Sequence, residues 1–265
     1  MKIGIFDSGL GGLVILRPLV KALPEYDFVY LGDTQRVPYG NRSEETIYKF
    51  LEQAVSYLFK QDCKLIIVAC NTASAEALQK IQKKYLPPHY PNRKVLGVII
   101  PTAEEAVKDG KIRKVGVLAT QGTVDSGTYI REIKKLNPRI SVYQQAAPLL
   151  VPLVENDGIK WAQPILEEYL KPLLRKKVDV IVLGCTHYPM LKREIRKTSG
   201  VKVISQDELM PQKLKSYLKR HPEIDRQLSK KGVVRLLATD ITKSLQSQSQ
   251  KWFGGKTILA KVVLN

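Results

Sequence analysis

Two apolar runs, each ending in a cysteine that leads straight into polar, helix-starting residues, constrain this 265-residue chain more than any other feature. They are Leu65-Ile66-Ile67-Val68-Ala69-Cys70-Asn71-Thr72-Ala73 and Val180-Ile181-Val182-Leu183-Gly184-Cys185-Thr186-His187-Tyr188, with the cysteines 115 residues apart. Lys2-Ile3-Gly4-Ile5-Phe6 is echoed at a similar offset, 112 residues on, by Lys114-Val115-Gly116-Val117-Leu118. Two near-equal offsets predict an internally duplicated chain. Duplicated halves that each end a strand in a thiol can close face to face and present those thiols to opposite sides of one small molecule.

Between these landmarks the pattern alternates between strand and helix. Met1–Phe6 reads as a buried strand, and Leu13, Leu16, Val20 and Leu23 follow at helical spacing after Asp7-Ser8-Gly9-Leu10-Gly11-Gly12. Phe28–Leu31 is a second strand. Ser43 is a predicted N-cap, with Glu44 and Glu45 in the first turn and Ile47, Phe50, Leu51, Ala54, Val55 and Leu58 on one face. A helix through Ala77, Leu78, Ile81 and Tyr85 is expected to break at Leu86-Pro87-Pro88-His89-Tyr90-Pro91 and to be followed by a strand over Val95–Ile100. A second set follows: helix Ala103–Val107, strand Lys114–Leu118, helix Tyr129–Leu136, strand Ile140–Tyr143, a long helix to Leu174 and the strand to Cys185. Strand Val233–Ala238 and a last helix before Trp252 close the chain, and Gln246-Ser247-Gln248-Ser249-Gln250 reads as an exposed helix end without function. Regular alternation of this kind implies parallel sheets covered by helices.

Composition narrows the class. At 44% hydrophobic and 26% charged, the chain can fill a globular core. Cys63, Cys70 and Cys185 form too sparse a set for a disulfide framework, and no leader precedes the first strand, so a reducing, cytoplasmic setting is expected. The apolar runs stop far short of the roughly 20 residues a membrane span requires, so no membrane association is expected. The net charge of +18 favours acidic small molecules and, less selectively, nucleic acid or an acidic protein partner. Its basic residues are dispersed, mostly late in helices, which fits a solvated face.

In open α/β sheets, ligands bind beyond the carboxyl ends of the strands. Asp7-Ser8, Cys70-Asn71-Thr72 and Cys185-Thr186-His187 all fall at such ends, and one pocket gathering them would suit the carboxylate and ammonium of an amino acid. A thiol with an ordinary pKa of about 8.5 must lose roughly 1.5 units, about 2 kcal/mol, to be half ionised at pH 7. A helix N-terminus supplies only ~0.3–1 kcal/mol, so each thiol needs a further partner. His187 is the candidate beside Cys185, as base or as cation, and Asp7 beside Cys70. Cys63 reads as a core residue. The Asp7–Gly12 loop lacks G-x-G-x-x-G, which argues against a dinucleotide turn, and no metal-ligand spacing surrounds Cys70.

At this level of detail the chain resembles the glutamate racemases of the cofactor-independent aspartate/glutamate racemase family. The resemblance rests on I-G-I-F-D-S-G-L-G-G (3–12), Y-L-G-D-T-Q-R-V-P-Y-G (30–40), V-A-C-N-T-A-S-A (68–75), A-T-Q-G-T-V-D-S-G-T-Y (119–129), P-L-V-E (152–155) and L-G-C-T-H-Y-P (183–189), and runs from residue 1 to about 210. It implies two similar α/β domains, each a parallel β-sheet flanked by helices, pseudo-symmetric, with the active site in the interdomain cleft. Residues 1–97 plus 206–265 would form one domain and 98–205 the other. It further implies that Cys70 and Cys185 exchange protons with glutamate without pyridoxal phosphate, metal or other cofactor. Asp7 and His187 would assist, and Glu155 would support the second thiol. Ser8, Tyr39, Gly40, Asn71, Thr72 and Thr186 would join Asp7 and His187 in contacting substrate. A homodimer and a role in peptidoglycan synthesis in the bacterial cytoplasm follow by the same resemblance. Departures from the family pattern fall at Ile100-Pro101-Thr102 and at Gln206, and bear on the domain seam and regulation. Two other readings stay open: an aspartate racemase, and a basic nucleic-acid- or partner-binding protein with structural cysteines.

Overall fold

The computed structural model describes residues 1–255 and 257–264. Ten strands are present among them: β1 (Lys2–Asp7), β2 (Phe28–Gly32), β3 (Cys63–Val68), β4 (Lys94–Gly97), β5 (Lys114–Ala119), β6 (Ser141–Ala146), β7 (Val180–Gly184), β8 (Lys202–Ile204), β9 (Val234–Ala238) and β10 (Leu259–Lys261). They form two sheets, ordered β10-β9-β2-β1-β3-β4 and β6-β5-β7-β8, and every pairing is parallel. Strands such as Cys63–Val68 and Val180–Gly184 are buried along their whole length, as expected for sheets covered on both faces.

The order β2-β1-β3-β4 in one sheet repeats as β6-β5-β7-β8 in the other, so the duplication expected from the two offsets is a duplication of topology. Cys70 follows β3 and Cys185 follows β7, the equivalent strand of each sheet. β9 and β10 extend the first sheet beyond β2, and helix Gln206–Arg220 packs against helix Leu13–Ala22. One apolar core runs through both halves, joining Ile5 and Leu16 on one side to Leu118, Leu183 and Val203 on the other.

Local signals largely hold. Ser43 caps helix Glu44–Lys60, its Oγ accepting from the Thr46 amide at 3.3 Å. Four readings need correction. β4 ends at Gly97, and Ile99 already opens a helix that runs to Lys108, because Pro101 falls in the first turn, where its missing N–H costs nothing. The break expected over Leu86–Pro91 comes late in that run: helix Leu86–His89 follows a π-turn at Ile81–Tyr85, again with proline in a first turn, and ends at Tyr90. Cys185 does not cap an α-helix; its carbonyl accepts from the Tyr188 amide at 3.2 Å, and a 3-10 turn intervenes before helix Lys192–Ser199. Gln246–Gln250 lies inside helix Lys243–Phe253 with Ser249 fully buried, and Gln248 Nε2 donates to the carbonyl of Glu155.

Candidate active site

The carboxyl ends of β1, β3 and β7 converge on a cavity of about 310 Å³, at the lower end of the volumes that hold small molecules. Ser8, Tyr39, Gly40, Cys70, Asn71, Thr72, Glu155, Cys185, Thr186 and His187 all line it. A second cavity of about 300 Å³ lies elsewhere on the domain seam, against Leu96, Pro101 and Tyr217, and contains neither thiol. The chemistry therefore belongs to the first.

Around Cys185 the groups form a chain. Its Sγ lies 3.8 Å from His187 Nδ1, and His187 Nε2 lies 3.0 Å from Glu155 Oε1. Burial works against a charged imidazole here, but the hydrogen bonds to Cys185 and Glu155 outweigh it and raise the His187 pKa to about 10. The imidazole thus stands between the thiol and the carboxylate, with one ring nitrogen facing each. Glu155 meets His187 on the side away from the thiol. The Trp252 ring meets His187 edge-on at 5.5 Å.

Cys70 is held more loosely. Its thiol donates to Ser8 Oγ at 3.4 Å and its Sγ accepts from the Ala73 amide at 3.5 Å, which makes it the N-cap of helix Asn71–Glu76. Burial, and then the charge of Asp7, push the Cys70 thiol up to about 12, so it is neutral at pH 7, and the carboxylate expected to assist it raises its pKa further.

Asp7 departs from its expected place. It is fully buried and absent from the cavity wall, with Oδ2 accepting from the Gly9 amide at 3.1 Å and Oδ1 from Thr186 Oγ1 at 3.3 Å. Burial raises its carboxyl pKa against the opposing pull of His187 and these hydrogen bonds. Two other expected contacts also turn their side chains away. Tyr39 Oη donates to Asp33 at 2.5 Å, and the Asn71 amide faces Gln206, so what they offer the cavity is ring, stem and backbone. Thr72 Oγ1 lies 3.0 Å from Thr120 Oγ1, linking the two halves at the rim.

The glycine loop serves close packing. A Cβ on Gly11 would lie 2.4 Å from Thr186 Oγ1 and 2.7 Å from the His187 ring, and one on Gly12 would lie 2.6 Å from Asp7 Cβ. Sequence reasoning missed Thr120, Gln121, Val151 and Pro152 in the wall, and Asp33 and Trp252 behind it; Gln206, singled out only as a departure from the family pattern, faces Asn71. For Asp33 and Thr120 the polar residue next to a strand end was an available signal.

Two thiols, one following the equivalent strand of each half and both lining one small cavity, define an acid–base catalyst on a duplicated α/β scaffold. The sequence profile of the Asp/Glu/Hydantoin racemase family matches residues 16–208, and the chain belongs to that family. It is 42% identical to a glutamate racemase of Aquifex aeolicus over 93% of this chain and 91% of that one. Its structure is similar to the crystal structure of a Francisella tularensis glutamate racemase in complex with D-glutamate, with a TM-score of 0.88, 34% identity and coverage of 100% and 98% of the two chains. A glutamate racemase isoform of Bacillus anthracis superposes with a TM-score of 0.90 at 32% identity, covering 99% and 97%.

Proposed function

We propose that this chain interconverts L- and D-glutamate by a two-thiol proton exchange, with residues 1–97 and 206–265 as one domain and 98–205 as the other. The observation that carries the mechanism is the pair of thiols in one cavity with unlike surroundings. Cys185, next to a protonated His187, is the base; Cys70, held neutral by burial and Asp7, is the acid. In one direction Cys185 sulfur takes the α-proton and the electron pair passes into the substrate carboxylate. Cys70 then gives its proton to the opposite face of the planar carbon and is left as thiolate, ready for the reverse reaction. In that reverse step Ser8, 3.4 Å from Cys70, is its nearest polar partner. Thr72 and Thr186, with the amides at the start of helix Asn71–Glu76, suit the substrate's polar ends.

D-glutamate made in this way would serve peptidoglycan synthesis in the bacterial cytoplasm, and the active form would be a homodimer. No described helix is long and apolar enough to cross a membrane. The competing substrate is aspartate, one methylene shorter, a difference worth only ~1–3 kcal/mol in most pockets. Rates on L-glutamate and L-aspartate measured side by side test the assignment; faster turnover of aspartate overturns it.

A further inference from the structure

Four buried polar side chains meet where the chain crosses between its two sheets. Asn71 and Gln206 face each other amide to amide: Asn71 Nδ2 donates to Gln206 Oε1 at 2.8 Å, and Gln206 Nε2 donates back to Asn71 Oδ1 at 2.8 Å. Tyr129 Oη donates to the same Asn71 oxygen at 2.8 Å and accepts from Gln206 Nε2 at 3.1 Å. Thr102 Oγ1, itself donating to the Val98 carbonyl at 2.6 Å, lies 3.5 Å from Gln206 Nε2. Asn71 is 2% exposed and the other three are fully buried.

The origin of these residues carries the argument. Thr102 sits on helix Ile99–Lys108, where the chain leaves β4 for the second sheet, and Gln206 opens the helix by which it returns from β8. Tyr129 belongs to helix Thr128–Leu136 of the second half, and Asn71 directly follows Cys70. Both crossings are therefore tied to the residue beside one thiol. Among the described residues that thiol has two long hydrogen bonds, at 3.4 and 3.5 Å, so the backbone at residues 70–72 sets its position. The side chain of Asn71 is the strong anchor of that backbone. Cys185 is held by a separate set of hydrogen bonds, His187 with Glu155 and Thr186 with Asp7, none of which includes Asn71 or Gln206; the node meets that side through the Tyr129 ring, whose edge would lie 3.2 Å from a Cβ on Gly184.

We propose that Gln206 is a positioning residue for the racemisation: through Asn71 it holds Cys70 in register with the second half of the molecule, and it does not act on Cys185. The proposal rests on the two-thiol reading above. Its consequence is asymmetric. Loss of Gln206 slows the half-reaction run by Cys70 and spares the one run by Cys185.

The test uses both enantiomers of glutamate carrying chloride at the β-carbon, from which HCl is eliminated after a single α-deprotonation. Cys70→Ser and Cys185→Ser first assign one enantiomer to each thiol. Gln206→Leu, and Gln206→Glu as a variant that keeps the length but removes the donor, are then assayed on both, with thermal unfolding to verify the fold. The expected result is a loss of about tenfold or more on the Cys70 enantiomer and a change within about twofold on the other, since displacement of a reacting group by an ångström can cost ~100-fold. The Asn71→Ala, Gln206→Leu double variant is expected to be no slower than the worse single variant, because both break the same link. Equal slowing on both enantiomers, or none on either, overturns the positioning role. If the two serine variants fail to divide the enantiomers at all, it is the two-thiol reading that falls.

Discussion

Thr186 donates to Asp7 across the cleft at 3.3 Å, so the residue after one thiol is bonded to a carboxylate at the end of the other half's central strand. Asp7 is wholly buried and its pKa is raised, so its ionised form opposes folding. The stability it offers is highest in acid and declines as pH rises from the ordinary carboxylate range through its folded pKa. Asp7→Asn is therefore expected to unfold at the same temperature as the parent or higher at pH 7, while racemisation drops at least ~10-fold through loss of the titratable carboxyl group near Cys70. Calorimetry and a coupled rate assay check the two halves; a large loss of thermal stability would contradict the electrostatic account.

Removing the other partner has the opposite effect on the fold. Thr186→Val leaves the Asp7 carboxylate short of one donor, which costs about 1–3 kcal/mol in urea unfolding and lifts the Asp7 pKa further.

Each thiol is needed for turnover. Cys70→Ser and Cys185→Ser are expected to abolish racemisation, because a serine hydroxyl is too weak an acid to supply the missing base at pH 7. Each variant should still eliminate a β-leaving group from one enantiomer, with opposite preferences. Retention of the same enantiomer by both would point to a single base.

His187 makes activity and stability depend on alkaline pH. Its folded pKa of about 10 lies above the ordinary value of 6.5, so the stability it contributes is complete below pH 6.5 and is lost as pH rises through about 10. Glu155→Gln removes one of the two hydrogen-bonded supports, and the alkaline limb of kcat/KM is expected to move toward neutrality. An unchanged limb would mean that Glu155 does not act through His187.

Gly11 sets how closely the halves approach. Gly11→Ala places a methyl 2.4 Å from Thr186 Oγ1 and 2.7 Å from the His187 ring, so both must shift. Overpacking of this kind costs about 1–3 kcal/mol, and the displaced imidazole should lower kcat more than it raises KM. Steady-state kinetics with thermal unfolding distinguish this from a simple loss of fold.

The thiols, the duplication and the parallel sheets were legible because their signals are local. Apolar runs such as Leu65–Ala69 and Val180–Gly184, each followed at once by polar residues, identify buried strands without knowledge of distant neighbours. The misreadings arose where a local signal is ambiguous. Val98-Ile99-Ile100 is apolar enough for a strand or a helix, and Pro101 is compatible with a first turn, so packing decides.

What the sequence by itself determined is the identity and order of the reactive groups: Asp7, Cys70, Cys185 and His187 each stand at or just past a strand end because apolar runs stop there. Only the tertiary structure decided what each group can do. Cys70 is a neutral acid because of burial and Asp7; Asp7 itself lies behind the cavity wall; Asn71 faces Gln206, 135 positions away; and Trp252 reaches His187 from the last described helix. Desolvation and long-range hydrogen bonding act between groups that the chain brings together only by folding, and neither leaves a trace in the spacing of the residues.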